Sequence, residues 1–336
     1  MLLTQEPALR RFWYPVAFST AVGPGPLHRQ LLGTDLVLWR AGGTVVAALD
    51  RCPHREARLS RGWVHDDRLV CPYHGWEFST TGNLARVPQL PATSPLPPKG
   101  VLDRFRCVER YGWVWVSLDD DPIGGIPELP EWELDGWRVV PEYEWMFDCS
   151  AAHLLENNID LSHVAIVHRE SFGAGIDPLL EVPTMERTSF GLVSESRIPV
   201  AGRPGEDGKT VRVTTTEMWG PFLAVFRIGY PDGLVHIMVK ACTPERDDRT
   251  RLLQTVFRND GEADRPAADI LAFDNKVETE DQDVLSGLPS EYPLDPLEQV
   301  HTKVDRPVLE LRRWYTDIIA GRWAPQPVAV VGVGQD

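Results

Sequence analysis

The chain has 336 residues, 43% apolar and 25% charged, a profile of a soluble globular protein with room for two cores. Forty-nine acids against thirty-four bases leave a net charge of -15, which argues against sequence-independent nucleic-acid binding and against docking on anionic membranes. No run of about 18 to 20 apolar residues is present to span a bilayer, and no secretory signal is legible. Five sparse cysteines fit a reducing, cytoplasmic setting.

Residues 10–118 read as short strands with little room for a long helix. LVLWR (36–40), TVVAAL (44–49), RLVCPYHGW (68–76) and YGWVWVSL (111–118) are rich in Val, Leu, Trp and Tyr, and AGG (41–43) and STTGN (79–83) are turn signals. The proline-rich stretch 87–100 predicts a surface excursion, since proline is excluded from helix interiors and central strands. The acidic, Gly- and Pro-bearing segment 119–140 reads as a linker. Residues 151–167 suit a helix, and alternating segments at 186–198, 209–217, 221–230, 234–243 and 249–258 predict strands. Two helices follow, over 265–287 and 306–320. In the second, Val304, Val308, Leu311, Tyr315 and Ile318 form an apolar stripe, with Asp305 as cap, Pro307 in the first turn and Gly321 at the end. The expected division is 1–118, a linker at 119–140, and a second domain over 141–336.

The strongest chemical signal is Cys52-Pro53-His54, sixteen intervening residues, then Cys71-Pro72-Tyr73-His74. Two thiolates and two imidazoles can form a closed zinc site or hold a [2Fe–2S] cluster with Cys on one iron and His on the other. Zinc fingers of this composition pair Cys with Cys and His with His. Here each loop supplies one of each, which suits two irons that each take a ligand from each loop. The prolines stiffen both loops, and Tyr73 is placed to donate toward a thiolate. The segment CPHR…CPYHGW resembles the Rieske iron–sulfur domain. Glu56 departs from it, standing where that family usually has Gly.

Downstream, His163 and His168 are five residues apart, about 140° around an ideal helix. That step predicts a local widening or a helix ending near His168. Asp160, three residues before His163, is expected on the same helix face. Alone, two such histidines are more often surface or core residues than ligands. Beside the first motif, Asn157-x-x-Asp160-x-x-His163-x-x-x-x-His168 is similar to the iron-binding helix of the Rieske non-haem iron oxygenases.

That resemblance spans nearly the whole chain, carried also by LLGTDLVLWR (31–40), ERYGWVWV (109–116) and RRWY (312–315). It is greatest to short alpha-only members such as the vanillate and dicamba demethylases and the saxitoxin-pathway hydroxylases. It implies an α+β fold: an N-terminal all-β Rieske domain and a C-terminal helix-grip domain, a curved antiparallel sheet wrapped on a long helix. It implies one Rieske [2Fe–2S] cluster on Cys52, His54, Cys71 and His74. A mononuclear Fe(II) is implied on His163, His168 and a late carboxylate, leaving open positions for O2. Among Glu278, Glu280, Asp281 and Asp283, Asp281 fits the family pattern because Val284 and Leu285 follow it; Asp283 is second, and the other acids read as a solvated helix face. Asn157 is implied to shape the open side of the iron. Asp160 is implied to bridge His163 to His74 of a neighbouring subunit in a homotrimer.

The implied activity is that of a terminal oxygenase, a monooxygenase that hydroxylates or oxidatively demethylates a small aromatic or cyclic substrate. No G-x-G-x-x-G follows a strand, so NAD(P)H electrons are expected through a separate reductase, with or without a ferredoxin. A cis-dihydroxylating dioxygenase and a Rieske electron carrier lacking the second iron are the alternatives. His28, His65, His153, His236 and His301 have no partner motif and read as surface or hydrogen-bonded residues. Cys107, Cys149 and Cys242 read as core thiols. Alternation offers some of Met218, Trp219, Phe222, Phe226, Ile228, His236 and Met238 to a pocket.

Overall fold

A computed structural model describes residues 1–201 and 209–325; the end of the expected second domain, 326–336, lies outside the described residues. The chain forms two compact units, Arg10–Pro122 and a second made of Met1–Leu9 with Ile123–Asp336. The first nine residues therefore group with the second unit, away from the rest of the expected 1–118 segment. The Met1 ammonium donates to Tyr292 O at 2.5 Å, and Thr4 N and Oγ1 donate to Asp247 at 2.9 and 2.7 Å.

Arg10–Pro122 contains two antiparallel sheets. The six-stranded one runs, in spatial order, Tyr14–Phe18, Trp113–Ser117, Arg104–Arg110, Thr44–Leu49, Thr34–Ala41 and Leu27–Leu31. The four-stranded one is Trp63–His65, Arg68–Val70, Glu77–Phe78 and Leu84–Arg86. Val37, Trp39, Leu59, Leu69 and Phe78 pack in one core that also holds Cys52 and Cys71. The expected strand 68–76 stops at Val70. Pro72 has no N–H for a ladder and Gly75 takes φ +68°, so the chain leaves the sheet as a loop. The strand expected from Tyr111 begins at Trp113, because Tyr111 and Gly112 have φ +54° and +72° and close a two-residue hairpin.

The second unit is built on seven antiparallel strands: β1 (Arg138–Phe147), β2 (Thr184–Arg187), β3 (Gly191–Ala201), β4 (Lys209–Trp219), β5 (Leu223–Gly229), β6 (Val235–Arg246) and β7 (Arg249–Arg258). Their spatial order is β1-β7-β6-β5-β4-β3-β2. Four helices complete it: α1 (Ala151–Ile159), α2 (Val164–Val167), α3 (Ala267–Leu285) and α4 (Arg306–Ile319). The nineteen-residue α3 lies against the sheet, Ile270 packing with Val140 and Val256, which is the helix-grip arrangement.

Several elements differ from their expected form. β1 begins inside the expected linker; it is an edge strand whose register shifts between Val140 and Tyr143. The segment 186–198 divides into β2 and β3 at a turn closed by Thr188 N on Gly191 O. Gly191 is required there: it has φ +156°, and a Cβ would lie 2.0 Å from Met218 O. The expected helix over 151–167 is interrupted by Asp160, whose φ and ψ are extended at -78° and 119°. Asp305 is the N-cap residue of α4, as expected, but its side chain makes no capping hydrogen bond to that helix. Its carboxylate instead accepts from Thr302, and Val304 lies in the preceding 3-10 turn. No helix among the described residues is long and apolar enough to cross a membrane.

Candidate metal centres

In the first unit the ligand loops are near copies. Cys52 O accepts from Glu56 N at 2.9 Å and Cys52 N donates to Ala57 O at 2.9 Å. Cys71 O accepts from Gly75 N at 3.0 Å and Cys71 N donates to Trp76 O at 2.9 Å. The fifth residue of each loop is left-handed, Gly75 at φ +68° and Glu56 at φ +60°. Glycine adopts that conformation freely, whereas Glu56 costs about 1 kcal/mol. The side chain of Glu56 is exposed, within 3.5 Å of Arg51.

The loops bring Cys52, Cys71, His54 and His74 together. The two imidazoles are 4.6 Å apart, and His54 stacks on Trp76 at 4.3 Å. Nδ1 of His54 and of His74 are both buried with no hydrogen-bond partner among the described residues, as an imidazole nitrogen reserved for a metal is. The Cys71 sulfur accepts from the Cys52 thiol and from the backbone N–H groups of Tyr73 and His74, which against the effect of burial lowers its pKa to about 6. The two thiols meet each other and the two imidazoles meet each other, a like-with-like pairing across the loops that suits a unit with Cys on one iron and His on the other. Tyr73 is 64% exposed and packs on His74 at 3.9 Å, with its ring turned to solvent. Two supports were not legible beforehand. Gln89, in the proline-rich excursion, donates to His74 O at 2.8 Å, and buried Asp50 accepts from Ser60 N and Oγ at 2.7 and 2.6 Å.

In the second unit His163, His168 and Asp281 place one donor atom each within 4.8 Å of the others. His163 is the N-cap of the one-turn α2 and His168 its C-cap, so the five-residue step is spanned by one short helix. Asp281 Oδ1 lies 3.2 Å from His168 Nε2 and 3.7 Å from His163 Nε2. Asn157 Nδ2 donates to the same oxygen at 3.3 Å. Asp283 is exposed, two residues and about 200° around α3. Asp160 follows α1 and accepts from Ser162 N and Oγ at 2.8 and 2.6 Å, with its other oxygen 3.6 Å from His163 Nδ1, outside hydrogen-bond distance. Asp160 thus reaches His163 from a bend, not along a shared helix face.

Of the acids expected on a solvated face, Asp283 is exposed but Glu278 and Glu280 are not. Glu280 holds His168 Nδ1 at 2.8 Å and accepts from Ser171 Oγ at 2.6 Å. The His168 tautomer is therefore Nδ1–H, leaving Nε2 directed at Asp281. Burial works against a charged His168, but the Asp281 and Glu280 carboxylates hold its pKa above the ordinary imidazole value. Buried Glu278 accepts from Lys240 Nζ at 2.7 Å, and Lys240 also donates to Asn158 Oδ1 at 3.2 Å. Glu280 was one of four acids in view from the sequence, and only the fold distinguishes its role.

A cavity of about 280 Å³ lies between α3 and the sheet, with His163, His168 and Asp281 in its wall. Strand alternation puts even-numbered residues on this face. Phe226, Ile228, His236 and Met238 line it, while Met218, Trp219 and Phe222 do not. His236 has no partner motif, and alternation alone offered it to this face. Burial and the nearby Arg258, Arg212 and Arg265 push its pKa down to about 3, and its Nε2 is buried without a partner among the described residues.

The model of the Rieske [2Fe-2S] domain matches residues 12–106, and that of the vanillate O-demethylase oxygenase C-terminal domain matches 147–321. The chain is 31% identical, over 92% of its length and 89% of the relative's, to the methylxanthine N1-demethylase NdmA of Pseudomonas putida. It is 30% identical to the methylxanthine N3-demethylase NdmB of that organism, over 94% of this chain and 91% of the other. The solved structure of NdmA with caffeine superposes with a TM-score of 0.84, covering 95% of this chain and 93% of that one at 28% identity. Dicamba monooxygenase bound to dicamba superposes at 0.80 over 94% and 98% with 23% identity, a likeness of fold.

Proposed function

This chain belongs to the Rieske non-haem iron oxygenases, and on that premise we propose the roles of its own residues. It is an oxygenase with a Rieske cluster and a mononuclear iron as cofactors, and its relatives demethylate small organic molecules. Cys52, His54, Cys71 and His74 hold the cluster. His163, His168 and Asp281 hold the iron, and the convergence of their three donor atoms carries the reading. When bound, the cluster supplies single electrons and the iron supplies activation of O2.

The chain does the positioning. Glu280 and Ser171 lock the His168 ring, and Asn157 fixes Asp281 Oδ1. Asp160, oriented by Ser162 and 3.6 Å from His163 Nδ1, is the carboxylate between that ring and His74 of the partner subunit in a homotrimer, and so lies on the path between centres. The cavity walls bind the substrate and exclude water beside the open side of the triad. Electrons reach the protein from a separate NAD(P)H-dependent reductase, with or without a ferredoxin. The reaction is hydroxylation or oxidative demethylation.

Metal analysis of anaerobically purified protein is the test. About three irons and two acid-labile sulfides per chain are expected. Asp281→Ala is expected to lose one iron and keep the cluster's visible absorption. Loss of that iron in Asp283→Ala instead overturns the ligand assignment, and a colourless, sulfide-free protein overturns the whole reading.

A further inference from the structure

Helix α3 turns three carboxylates toward the cavity, Asp274, Glu278 and Asp281, spaced to share one face. Two of them have cationic or imidazole partners. Asp281 meets the two histidines, and Glu278 meets Lys240. Asp274 has no ion pair among the described residues. Gln254 Nε2 donates to its Oδ2 at 2.7 Å, which leaves Oδ1 of Asp274 and Oε1 of Gln254 as two neighbouring acceptors. Both side chains line the cavity and are almost wholly buried, Asp274 at 6% exposure and Gln254 at 1%. Gln254 Oε1 has no hydrogen-bond partner among the described residues. A buried carboxylate without a cation, beside an unmet amide oxygen, destabilises a fold unless something else brings donors to it.

The site is within substrate reach of the triad. Asp274 precedes Asp281 by seven residues, about 10 Å along one helix face. Lys240 and Arg265 act on Asp274 through space, but among the described residues no cation of the cavity forms an ion pair with it. Arg258 is four residues, about 13 Å, further along β7 from Gln254, and is paired with Asp260. The guanidiniums of Arg212 and Arg265 lie over the Phe172 and Phe273 rings.

We infer that Asp274 and Gln254 are a recognition site for a cationic nitrogen of the substrate, an ammonium or amidinium, so that this enzyme takes nitrogen bases in preference to aromatic acids. The two acceptors match two N–H donors of one cationic group. The chain's charge of -15 disfavours the approach of acids to the protein as a whole. What happens to the bound molecule rests on the oxygenase reading; the binding preference does not.

The test uses the intact holoenzyme and three probes of one shape: benzamidinium, benzamide and benzoate, titrated calorimetrically at about pH 7.5. Benzamidinium is expected to bind at least about tenfold more tightly than benzamide, with benzoate weakest. Asp274→Asn brings the benzamidinium-to-benzamide ratio to about one, and Asp274→Glu retains a preference for the cation. Benzoate binding as tightly as benzamidinium, a preference that survives Asp274→Asn, or no benzamidinium binding at all overturns the proposal. Iron and sulfide are measured on the same samples. Full iron with no cation preference defeats this inference alone, whereas absent iron with the preference intact defeats the oxygenase reading alone.

Discussion

His168 presents Nε2 to Asp281 because Glu280 occupies its other nitrogen, and Ser171 holds Glu280 in turn. Removing that anchor frees the ring to turn and lowers the basicity of the ligand nitrogen. Glu280→Ala is therefore expected to weaken iron binding about 10- to 100-fold, read as iron per chain after dialysis against a graded chelator, with cluster absorption unchanged. Iron retention equal to the parent's would show that packing against Phe172 alone orients the ring. Asp274 carries a pH dependence of its own. Burial, with Glu278 adding, raises it to about 6, while Lys240, Gln254 and Arg265 pull it down. The folded chain then holds a proton between about pH 4 and 6 that the unfolded chain has released, so this group favours folding as pH falls through 6 and opposes it above. Asp274→Asn should stabilise the protein by about 1–3 kcal/mol at neutral pH, an advantage that vanishes below about pH 4. Melting curves at both pH values check it; a variant less stable at neutral pH would mean the carboxylate's bond to Gln254 outweighs its burial.

At the scale of elements, α4 holds α1 in place through one buried guanidinium. Arg312 Nε and Nη2 donate to the two oxygens of Glu156 at 3.1 and 3.0 Å, and Tyr292 OH donates to the same carboxylate. Glu156 adjoins Asn157, so the clamp also steadies the segment that delivers Asp160 and His163. Arg312→Ala leaves Glu156 without its cation and is expected to cost about 3 kcal/mol, with iron lost at a lower temperature than in the parent. A melting point within a degree of the parent's would refute the clamp. Arg312 lay in view in the RRWY motif, yet its partner did not. The same divide separates what was legible from what was not. Cys52 with His54, Cys71 with His74, and His163 with His168 are local pairs whose spacing is written in the chain. Glu280 meets His168 across 112 residues and Lys240 meets Glu278 across 38, so one-dimensional patterning left those acids as a solvated face. The broken helix at Asp160 was hidden for a related reason. Residues 151–167 keep helical spacing, but the Asp160 carboxylate bonds Ser162 N and ends the first helix.

At the scale of the molecule, each centre sits in its own compact unit, the cysteine–histidine set within Arg10–Pro122 and the triad within the other. If Asp160 couples His163 to His74 of the partner subunit, electrons pass between chains, and two differently disabled chains can complete one another. Cys52→Ser removes the cluster from a chain and leaves its triad. Asp281→Ala removes the iron and leaves the cluster. Neither variant alone is expected to turn over with reductase and NADH. Co-expressed with different tags and purified as mixed oligomers, they place an intact cluster on one chain beside an intact triad on its neighbour. Substrate-dependent oxygen uptake is expected to reappear at a fraction of the parent rate set by the number of productive neighbours, roughly a tenth to a third. Adding Asp160→Ala to the Cys52→Ser chain should abolish that recovery, since the bridging carboxylate belongs to the chain that holds the iron. Adding it to the Asp281→Ala chain should leave the recovery intact. Mixed oligomers that stay inactive while retaining both metals would place electron transfer within a single chain, and the bridging role of Asp160 would fall with it.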